Sequence, residues 1–398
     1  MQEREKICMD KGFKRFLVVM VTAGVILIGL LSASTFFGKK EEKSAKATPD
    51  AVAAQSTEKP KKTAVPDSSD ANTEEPAKTP GATPSKTPSA TYEPILSDKK
   101  VKTYPSVGVV VAGDSAYEMY NYVDSVVSQY AKVLNAFRKK LDAKVKIFDI
   151  VAPPSAGITF PDNLKDKVNL SDQGKASKKI AKKLAKNISF VPAYEALMAH
   201  RTEYIYFRTD HHWTSLGAYY AYSAFCKEKG IEPNAVEGYK KKAFKGFTGS
   251  FYKDTKQNKK LRKDTMEVLY PVDYDALALT YTDSNGKKFQ APVIANAANY
   301  SASLKYCAYI ASDNPFTVIK NKNKKDGSSC VVIKESFGNA FVPFLADHYQ
   351  NVYVIDYRYW NGKLQDFIRR KKCNDVLFVN NMSMTRNSYL VTKLSQIL

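Results

Sequence analysis

Short apolar runs rich in β-branched residues alternate with helical patterns along most of the chain. The three runs nearest the C-terminus are Cys330–Lys334, Val352–Asp356 and Val376–Val379, and helical patterns at Ala340–Tyr349 and Lys363–Arg370 follow the first two. Strands that are apolar along their whole length are buried on both faces, and helical crossovers join parallel strands. The sequence therefore predicts an α/β fold with a doubly wound, mostly parallel sheet.

Earlier segments continue this alternation. Three further apolar runs predict strands, at Val107–Gly113, Val145–Val151 and Tyr204–Phe207. Three segments have helical periodicity, at Tyr117–Leu141, Gln173–Lys186 and Ser215–Lys229. The stretch Glu237–Lys325 is less regular, and there we expect an insertion with β structure.

The N-terminal part of the chain has a different composition. The run Phe16–Phe37 carries no charged residue and is long enough to cross a bilayer as a helix. Basic residues outnumber acidic ones in residues 1–15, which favours a cytoplasmic N-terminus. The alternative is a cleaved signal peptide, since Ser32, Ala33 and Ser34 are small enough for a cleavage site.

Residues 38–98 are rich in Lys, Thr, Pro, Ala and Ser, with almost no large apolar side chain before Tyr92. Such a segment cannot bury a core, so we expect a disordered tether extended by its prolines. In this topology, residues 99–398 form one extracytoplasmic domain of a single-pass cell-membrane protein.

The chain is strongly basic, with a formal net charge of +21. Such a protein attracts anionic partners, but an extracytoplasmic domain meets cell-wall polymers and lipid head groups instead of nucleic acid. The segment Lys240–Lys263 holds ten Lys or Arg residues against Asp254 alone, interleaved with aromatic side chains. This pattern suits an anionic sugar polymer and equally suits a solvated basic loop.

The spacing of cysteines and histidines gives no sign of a metal site. Cys226, Cys307, Cys330 and Cys373 form no Cys-x-x-Cys pair, and the four histidines form no His-Glu-x-x-His motif. We therefore predict neither a metal nor a cofactor.

Polar side chains follow four of the predicted strands. They are Ser336, Tyr357 with Arg358, Asn380, and Asp210 with His212. Ligands bind beyond the carboxyl ends of the strands in an open parallel sheet. The sequence therefore predicts that these side chains meet at one edge of the sheet.

Three of these residues have the chemistry of a nucleophilic site. Ser336 falls at a strand-to-helix turn, where free backbone N–H groups favour an oxyanion, although the same place suits an ordinary N-cap serine. An acid at Asp210 can bond one ring nitrogen of His212 and leave the other facing a serine. His211 is expected to be a structural histidine.

A second candidate nucleophile is Ser115 in the sequence Gly113-Asp114-Ser115. Gly-Asp-Ser is a nucleophile motif in many lipolytic hydrolases, where the partner Asp and His lie near the C-terminus. Here no Asp-x-x-His occurs near the C-terminus, and His348 falls in a predicted helix. Ser336 is therefore the preferred candidate.

The block Phe207–Thr214, which reads Phe-Arg-Thr-Asp-His-His-Trp-Thr, resembles the signature of the bacterial DHHW proteins. Supporting matches lie at Gly113–Glu118, Glu335–Phe341 and Asp356–Arg358, and the resemblance covers about Lys100–Leu398. That family is similar to the alginate O-acetyltransferase group of the SGNH-hydrolase superfamily. In that group the Asp-x-His-Trp block precedes the nucleophile, which is a permuted motif order.

The resemblance implies roles for individual residues. Asp210 matches the acid, His212 the base, Ser336 the nucleophile and Asn380 the oxyanion asparagine of the superfamily. Tyr357 and Arg358 are expected at the same oxyanion or substrate site. The alginate group has Ser-Tyr-Ser at the nucleophile, whereas this chain has Ser-Phe-Gly from Ser336 onward.

The resemblance also implies a function. We expect an extracytoplasmic O-acetyltransferase or acetylesterase that acts on a cell-surface or cell-wall glycan, beside a membrane-bound O-acyltransferase that exports the acyl group. The alternative is a catalytically silent glycan-binding or assembly protein on the same SGNH-hydrolase-like fold.

A strand order for the proposed sheet predicts which residues are neighbours. In a 2-1-3 order the strands that precede Ser336 and Asn380 are neighbours. Cys330 and Cys373 lie near the starts of these two strands, so we expect them to be close together, with or without a disulfide.

Overall fold

The computed structural model describes residues 92–398, so the predictions for the cytoplasmic N-terminus, the anchor Phe16–Phe37 and most of the tether lie outside the described residues. Within residues 92–398, no helix is both long and apolar enough to cross a membrane. Residues 92–98 have no regular secondary structure, but the Ile95 N–H donates to Asp162 Oδ2 at 2.9 Å. The last residues of the predicted tether therefore contact the domain.

Strands and helices alternate along the described residues. The strands are β1 (Val101–Tyr104), β2 (Val109–Ala112), β3 (Ser115–Glu118), β4 (Lys146–Ala152), β5 (Ser189–Phe190), β6 (Lys240–Phe247), β7 (Asp264–Tyr270), β8 (Leu277–Thr282), β9 (Lys288–Ala291), β10 (Phe316–Asn321), β11 (Ser329–Lys334), β12 (Asn351–Asp356) and β13 (Asp375–Asn381). The α-helices are α1 (Asp124–Arg138), α2 (Ser155–Ile158), α3 (Gln173–Lys183), α4 (Ala193–Met198), α5 (Ser215–Lys229), α6 (Ser250–Asp254), α7 (Gly338–Leu345), α8 (Leu364–Lys371) and α9 (Ser388–Ile397). Short 3-10 helices lie at Pro105–Val107, Asp162–Lys167, Val236–Gly238, Tyr274–Ala276, Ala302–Ala308 and Met382–Arg386.

An eight-stranded sheet carries the fold, in the order β5-β4-β13-β11-β12-β10-β8-β9. The five strands from β5 to β12 pair in parallel, and β10, β8 and β9 add antiparallel pairs at one side. Strand β11 lies between β12 and β13, with Val332 opposite Val354 on one side and Leu377 on the other. The mostly parallel α/β sheet and its 2-1-3 order are therefore confirmed.

Both faces of the central strands are buried, which explains their continuous apolar sequences. Along β11, Val331 and Ile333 pack with side chains of α1, α8 and α9, whereas Val332 packs with side chains of α5 and α7. Burying each such side chain contributes about 1.5–3 kcal/mol, so β11 is held firmly where it delivers Ser336 to the sheet edge.

The first predicted strand lies outside this sheet. Val107–Gly113 contains β2, which pairs antiparallel with β1 and β3 in a separate three-stranded sheet. The chain reverses at Gly113, whose φ of +63° favours glycine, so the segment after it returns as β3. For this reason the helix predicted at Tyr117–Leu141 begins only at Asp124.

The strand predicted at Tyr204–Phe207 is not a strand of the sheet. The backbone of this segment pairs with its own return: Phe207 N–H donates to His212 O, and Thr214 N–H donates to Ile205 O. A single bridge joins Tyr206 to Trp213. The segment therefore forms one side of a loop that pairs with its own return, and it does not join the sheet.

The irregular middle of the chain is an insertion with β structure, as expected. Strands β6 and β7 form a hairpin, while β8, β9 and β10 extend the main sheet. The neighbouring starts of β11 and β13 place Cys330 opposite Asp375, two residues after Cys373. All four described cysteines are free, and no disulfide forms between Cys330 and Cys373.

Candidate active site

Three side chains from distant parts of the sequence form one hydrogen-bonded chain. His212 Nε2 lies 2.8 Å from Ser336 Oγ, and His212 Nδ1 lies 2.5 Å from Asp210 Oδ1. Asp210 and His212 are 5% and 6% exposed, whereas Ser336 is only partly buried. A hydroxyl, an imidazole and a carboxylate are thus aligned in the order that nucleophilic catalysis by serine requires.

The surroundings keep the imidazole neutral and the carboxylate ionised. Burial and the charge of His211 lower the pKa of His212 to about 4, although Asp210 acts in the opposite direction. Burial acts to raise the pKa of Asp210, but His212, His211 and hydrogen bonds hold it well below the usual range. A neutral imidazole beside an ionised acid is the state that can accept a proton from serine.

The loop that carries Asp210 and His212 is fastened by a buried acid that sequence reasoning missed. Asp264, at the start of β7, accepts hydrogen bonds from the backbone N–H groups of Arg208 and Thr209, both at 2.9 Å. It also accepts the hydroxyls of Thr209 and Tyr204. Four hydrogen bonds to one carboxylate therefore hold the loop to the hairpin.

A second segment holds the acid from the other side. The Ser250 N–H donates to Asp210 Oδ2 at 2.8 Å. At Gly249 a Cβ would lie 2.0 Å from Asp210 Oδ2, so a side chain there would collide with the carboxylate. Close approach of this backbone requires glycine.

The nucleophile lies in a tight turn between β11 and α7. The Ser336 hydroxyl has two neighbours that can accept its proton, His212 Nε2 at 2.8 Å and Glu335 Oε2 at 3.2 Å. The other oxygen of Glu335 accepts the Asn381 N–H at 2.8 Å, which ties the ends of β11 and β13 together. No side chain caps α7, so the N-cap interpretation of Ser336 is wrong.

The other predicted site residues lie around this turn with different contacts. Strands β11 and β13 pair Lys334 with Val379, so Asn380 is level with Glu335 at the same edge. Asn380 is buried, and its amide interacts with the hydroxyl of Tyr130. Tyr357 is buried as well, and its hydroxyl lacks a hydrogen-bond partner among residues 92–398.

Arg358 does not face Ser336 as a free cation. Its guanidinium pairs with Asp313 at 2.8 Å and with Asp356 at 2.6 Å, and Lys334 bonds the same two carboxylates. The prediction that Arg358 contacts substrate stays a prediction, and in this structure two buried acids balance the charge of its guanidinium.

Ser115 has no catalytic partner. Its hydroxyl donates to the neighbouring Asp114 at 2.9 Å, and no histidine contacts it within the described residues. Instead, the turn contacts the loop that carries Asp210 and His212, since the Ala116 N–H donates to Arg208 O at 2.9 Å.

Residues 89–355 match the family model described as DHHW protein. The chain belongs to the DHHW family. The resemblance read from Phe207–Thr214 is therefore confirmed, and the match spans the loop with Asp210 and His212 as well as Ser336.

Several solved structures are similar to this chain. A DHHW family protein from Eubacterium siraeum is 29% identical, with a TM-score of 0.68 over 77% of this chain and 99% of that chain. Bacillus cereus PatB1 is 21% identical, with a TM-score of 0.58 over 72% and 97% of the two chains. The O-acetyltransferase domain of Pseudomonas putida AlgJ is 12% identical, with a TM-score of 0.39 over 72% and 98%. No curated protein matches the chain.

The four letters of the DHHW block have separate contacts in this member. Asp210 and His212 form the chain to Ser336, and His211 Nδ1 lies 2.6 Å from Ser250 Oγ. Trp213 is fully buried, and its Nε1–H donates to the Phe337 carbonyl oxygen at 3.0 Å. Trp213 therefore joins the DHHW block to the residue that follows the nucleophile.

The DHHW block is also the group of described residues whose spacing could suit a metal ion. Ligand atoms of Asp210, His211 and His212 lie within 4.8 Å of one another. Each of these side chains already has a hydrogen-bond partner, and His212 Nε2 faces a serine. The donor set therefore fits proton transfer to and from Ser336 better than metal ligation.

Proposed function

We propose that this DHHW protein is a serine acyl-ester enzyme, an O-acetyltransferase or acetylesterase that acts on a cell-surface or cell-wall glycan. The observation that carries the proposal is the 2.8 Å approach of His212 Nε2 to Ser336 Oγ, with Asp210 on the other ring nitrogen. The permuted SGNH-hydrolase-like arrangement implied by the DHHW resemblance agrees with this order of residues.

The first half-reaction transfers the acyl group to the enzyme. His212 Nε2 takes the Ser336 hydroxyl proton as the oxygen attacks the ester carbonyl, and Asp210 stabilises the imidazolium. The tetrahedral adduct collapses when His212 returns the proton to the leaving alcohol oxygen. The products are an acyl-Ser336 ester and the released alcohol.

The second half-reaction is the same chemistry with a new acceptor. A sugar hydroxyl or a water molecule gives its proton to His212 and attacks the acyl-Ser336 carbonyl. The proton then passes from His212 to Ser336 Oγ, which leaves as the free hydroxyl. A sugar acceptor makes the enzyme a transferase, and water makes it an esterase.

Asn380 is our candidate for the oxyanion-stabilising amide. Its position at the sheet edge, level with Glu335, supports this role. An oxyanion donor typically accounts for roughly 100- to 1,000-fold in rate. Tyr357, whose buried hydroxyl is unpaired, is a second candidate at this edge.

The proposal extends to the setting of the reaction. A single-pass anchor at Phe16–Phe37 and a tether of residues 38–98 would hold the domain outside the cytoplasm. A membrane-bound O-acyltransferase that exports acyl groups would then be the donor partner. Cleavage of the domain by protease added to protoplasts with an intact membrane tests this placement, because a cytoplasmic domain would be protected until lysis.

Two serine variants test the chemistry. Ser336→Ala should abolish hydrolysis of p-nitrophenyl acetate, while Ser115→Ala should retain it. A serine-directed fluorophosphonate should label wild-type protein and not Ser336→Ala. Turnover that depends on Ser115 instead of Ser336 would refute the assignment.

A second candidate function is a catalytically silent glycan-binding or assembly protein. The observation that favours it is the Glu335 carboxyl group 3.2 Å from the Ser336 hydroxyl, since a negative charge on Glu335 would oppose formation of an oxyanion there, although burial raises the pKa of Glu335. Absence of fluorophosphonate labelling in a folded wild-type protein would favour this candidate.

A further inference from the structure

We propose that a cleft beside the loop that carries Asp210 and His212 is a subsite for an acidic glycan. This inference deepens the proposed function and rests on it for its meaning in catalysis. The cleft has a volume of about 580 Å³, within the range of about 300–1,000 Å³ typical of ligand sites. Its walls are the segment Thr248–Gln257 and the start of the 3-10 helix Ala302–Ala308.

Both walls belong to segments that hold the triad. Gly249 lines the cleft, and its backbone contacts Asp210 so closely that a Cβ would collide with the carboxylate. The Tyr252 N–H donates to Thr209 O at 3.1 Å, one residue before Asp210. The first wall is therefore continuous with the loop that carries the acid.

The second wall leads to the base and the nucleophile. Ala302 and Ser303 line the cleft, and the same short helix continues to Tyr306, which stacks on His212 and bonds the Ser336 carbonyl oxygen. The Thr248 N–H donates to Ala302 O at 3.1 Å, so the two walls are joined to each other. A polymer bound in this cleft would therefore contact the two segments that hold Asp210 and His212 in place.

The lining has the chemistry of an acidic sugar site. Lys253 and Lys256 are exposed, line the cleft and form no ion pair in the described part of the chain. No carboxylate lines the cleft. Tyr252 offers a ring on which a sugar can stack, and Thr248 and Gln257 offer hydrogen-bonding groups.

The backbone beneath the cations is held in an unusual conformation. Lys256 and Gln257 have φ values of +56° and +57°, in the left-handed region that non-glycine residues seldom adopt. The Gln257 N–H bonds Tyr252 O at 2.7 Å, which closes this turn across the cleft wall. Strained backbone of this kind clusters at ligand sites, where it orients side chains.

The ligand that suits this cleft is a polymer with regularly spaced negative charges. A uronate polymer carries such charges on its carboxylates, and a polyol-phosphate polymer carries them on its phosphates. The test uses polygalacturonate, poly(glycerol phosphate) and neutral dextran of matched length. Binding is measured by calorimetry on the full-length chain with Ser336→Ala, so turnover does not alter the polymer.

The decisive variant is Lys253→Gln with Lys256→Gln. It should weaken binding of one or both acidic polymers about tenfold, as two direct cation contacts are lost. The matched control is Lys259→Gln with Lys260→Gln, two exposed lysines of the same basic segment that do not line the cleft. It should change affinity by less than roughly twofold, as expected of solvated surface charges.

The polymers distinguish the source of the charge. Binding of polygalacturonate alone supports a uronate ligand, and binding of poly(glycerol phosphate) alone supports a phosphate ligand. Three results would overturn the subsite. They are dextran binding as tight as that of the acidic polymers, the same loss of affinity in both double lysine variants, and no binding of any polymer.

Failure of the subsite differs from failure of the proposed function. Fluorophosphonate labelling of Ser336 without polymer binding rejects the subsite and keeps the enzyme. Polymer binding that requires Lys253 and Lys256, without labelling, keeps the subsite and rejects the enzyme.

Discussion

The phenol ring of Tyr306 lies flat on the imidazole of His212, with ring centroids 3.9 Å apart and planes 13° apart. Its hydroxyl donates to the carbonyl oxygen of Ser336 at 3.1 Å. One side chain thus holds the base by stacking and the nucleophile by a hydrogen bond. Tyr306 is therefore a positioning residue for the triad.

Two substitutions at Tyr306 separate these contacts. Tyr306→Phe keeps the ring on His212 and removes a hydrogen bond worth about 0.5–1.5 kcal/mol, so kcat for p-nitrophenyl acetate should fall about 2- to 10-fold. Tyr306→Leu also removes the flat ring contact, so its kcat should fall further. Tyr309→Phe is the control, because the Tyr309 hydroxyl bonds Ser215 instead of the triad. Equal kcat values for Tyr306→Phe and Tyr306→Leu would contradict the role of stacking.

The pH profile follows from the buried base. His212 must be neutral to accept the serine proton, and its pKa is lowered to about 4 by burial and by His211. As pH rises through about 4, kcat/KM should rise and then stay level to neutrality. An imidazole with an ordinary pKa would be about 90% protonated at about pH 5.5, with a matching loss of rate. Acetate release measured between acid and neutral pH distinguishes the two, and an inflection near the ordinary value would contradict this environment.

His211 offers a second test of the same profile. Its charge lowers the pKa of His212, so His211→Gln should raise that pKa and move the inflection to higher pH. Glutamine retains a hydrogen-bonding group toward Ser250, which limits the structural change. A profile that does not move would show that His211 exerts no charge effect on the base.

Gly249 should tolerate no side chain. In Gly249→Ala the Cβ would lie 2.0 Å from Asp210 Oδ2, so the carboxylate or the backbone must shift. Overpacking of this kind costs about 1–3 kcal/mol, and the displaced acid should lower kcat as well. Gly238→Ala is the matched control, because no atom lies within 4 Å of a Cβ there. Thermal melting and p-nitrophenyl acetate turnover measure both effects, and wild-type kcat in Gly249→Ala would refute the predicted collision.

Much of the fold was predictable because continuous apolar runs report burial on both faces. The strands at Val145–Val151, Cys330–Lys334 and Val352–Asp356 and the helix Ser215–Lys229 were all found within a residue or two at each end. Val107–Gly113 has the same composition but lies in a small antiparallel sheet. The composition of a strand indicates that it is buried but does not indicate which sheet it joins. Here the turn at Gly113 leads the chain back as β3, so this strand joins a separate sheet.

The approach of Asp210, His212 and Ser336 to one another was predictable for a local reason, whereas the residues that hold them in place were not. Asp210 and His212 are two residues apart, so one loop delivers both, and β11 delivers Ser336 to a sheet edge. Asp264 and Tyr306 come from distant segments with no motif of their own. Their contacts depend on how the hairpin and the short helix pack, which periodicity does not encode.

The buried ion network behind the nucleophile gives the last prediction. Lys334 Nζ lies 2.8 Å from Asp313 and 3.0 Å from Asp356, and Arg358 pairs with the same two acids. Although burial acts to raise the pKa of Asp313, the charges on Lys334 and Arg358 hold it far below its usual range.

Lys334→Met leaves two buried carboxylates facing one cation, so it should lower the free energy of unfolding by about 3–5 kcal/mol. Urea denaturation measures this change, with Lys320→Met, at an exposed position of β10, as a control that should stay within about 0.5 kcal/mol of wild type. A loss in Lys334→Met no larger than in the control would mean that Arg358 alone balances both acids, and the network would then have no role in holding β11 and Ser336.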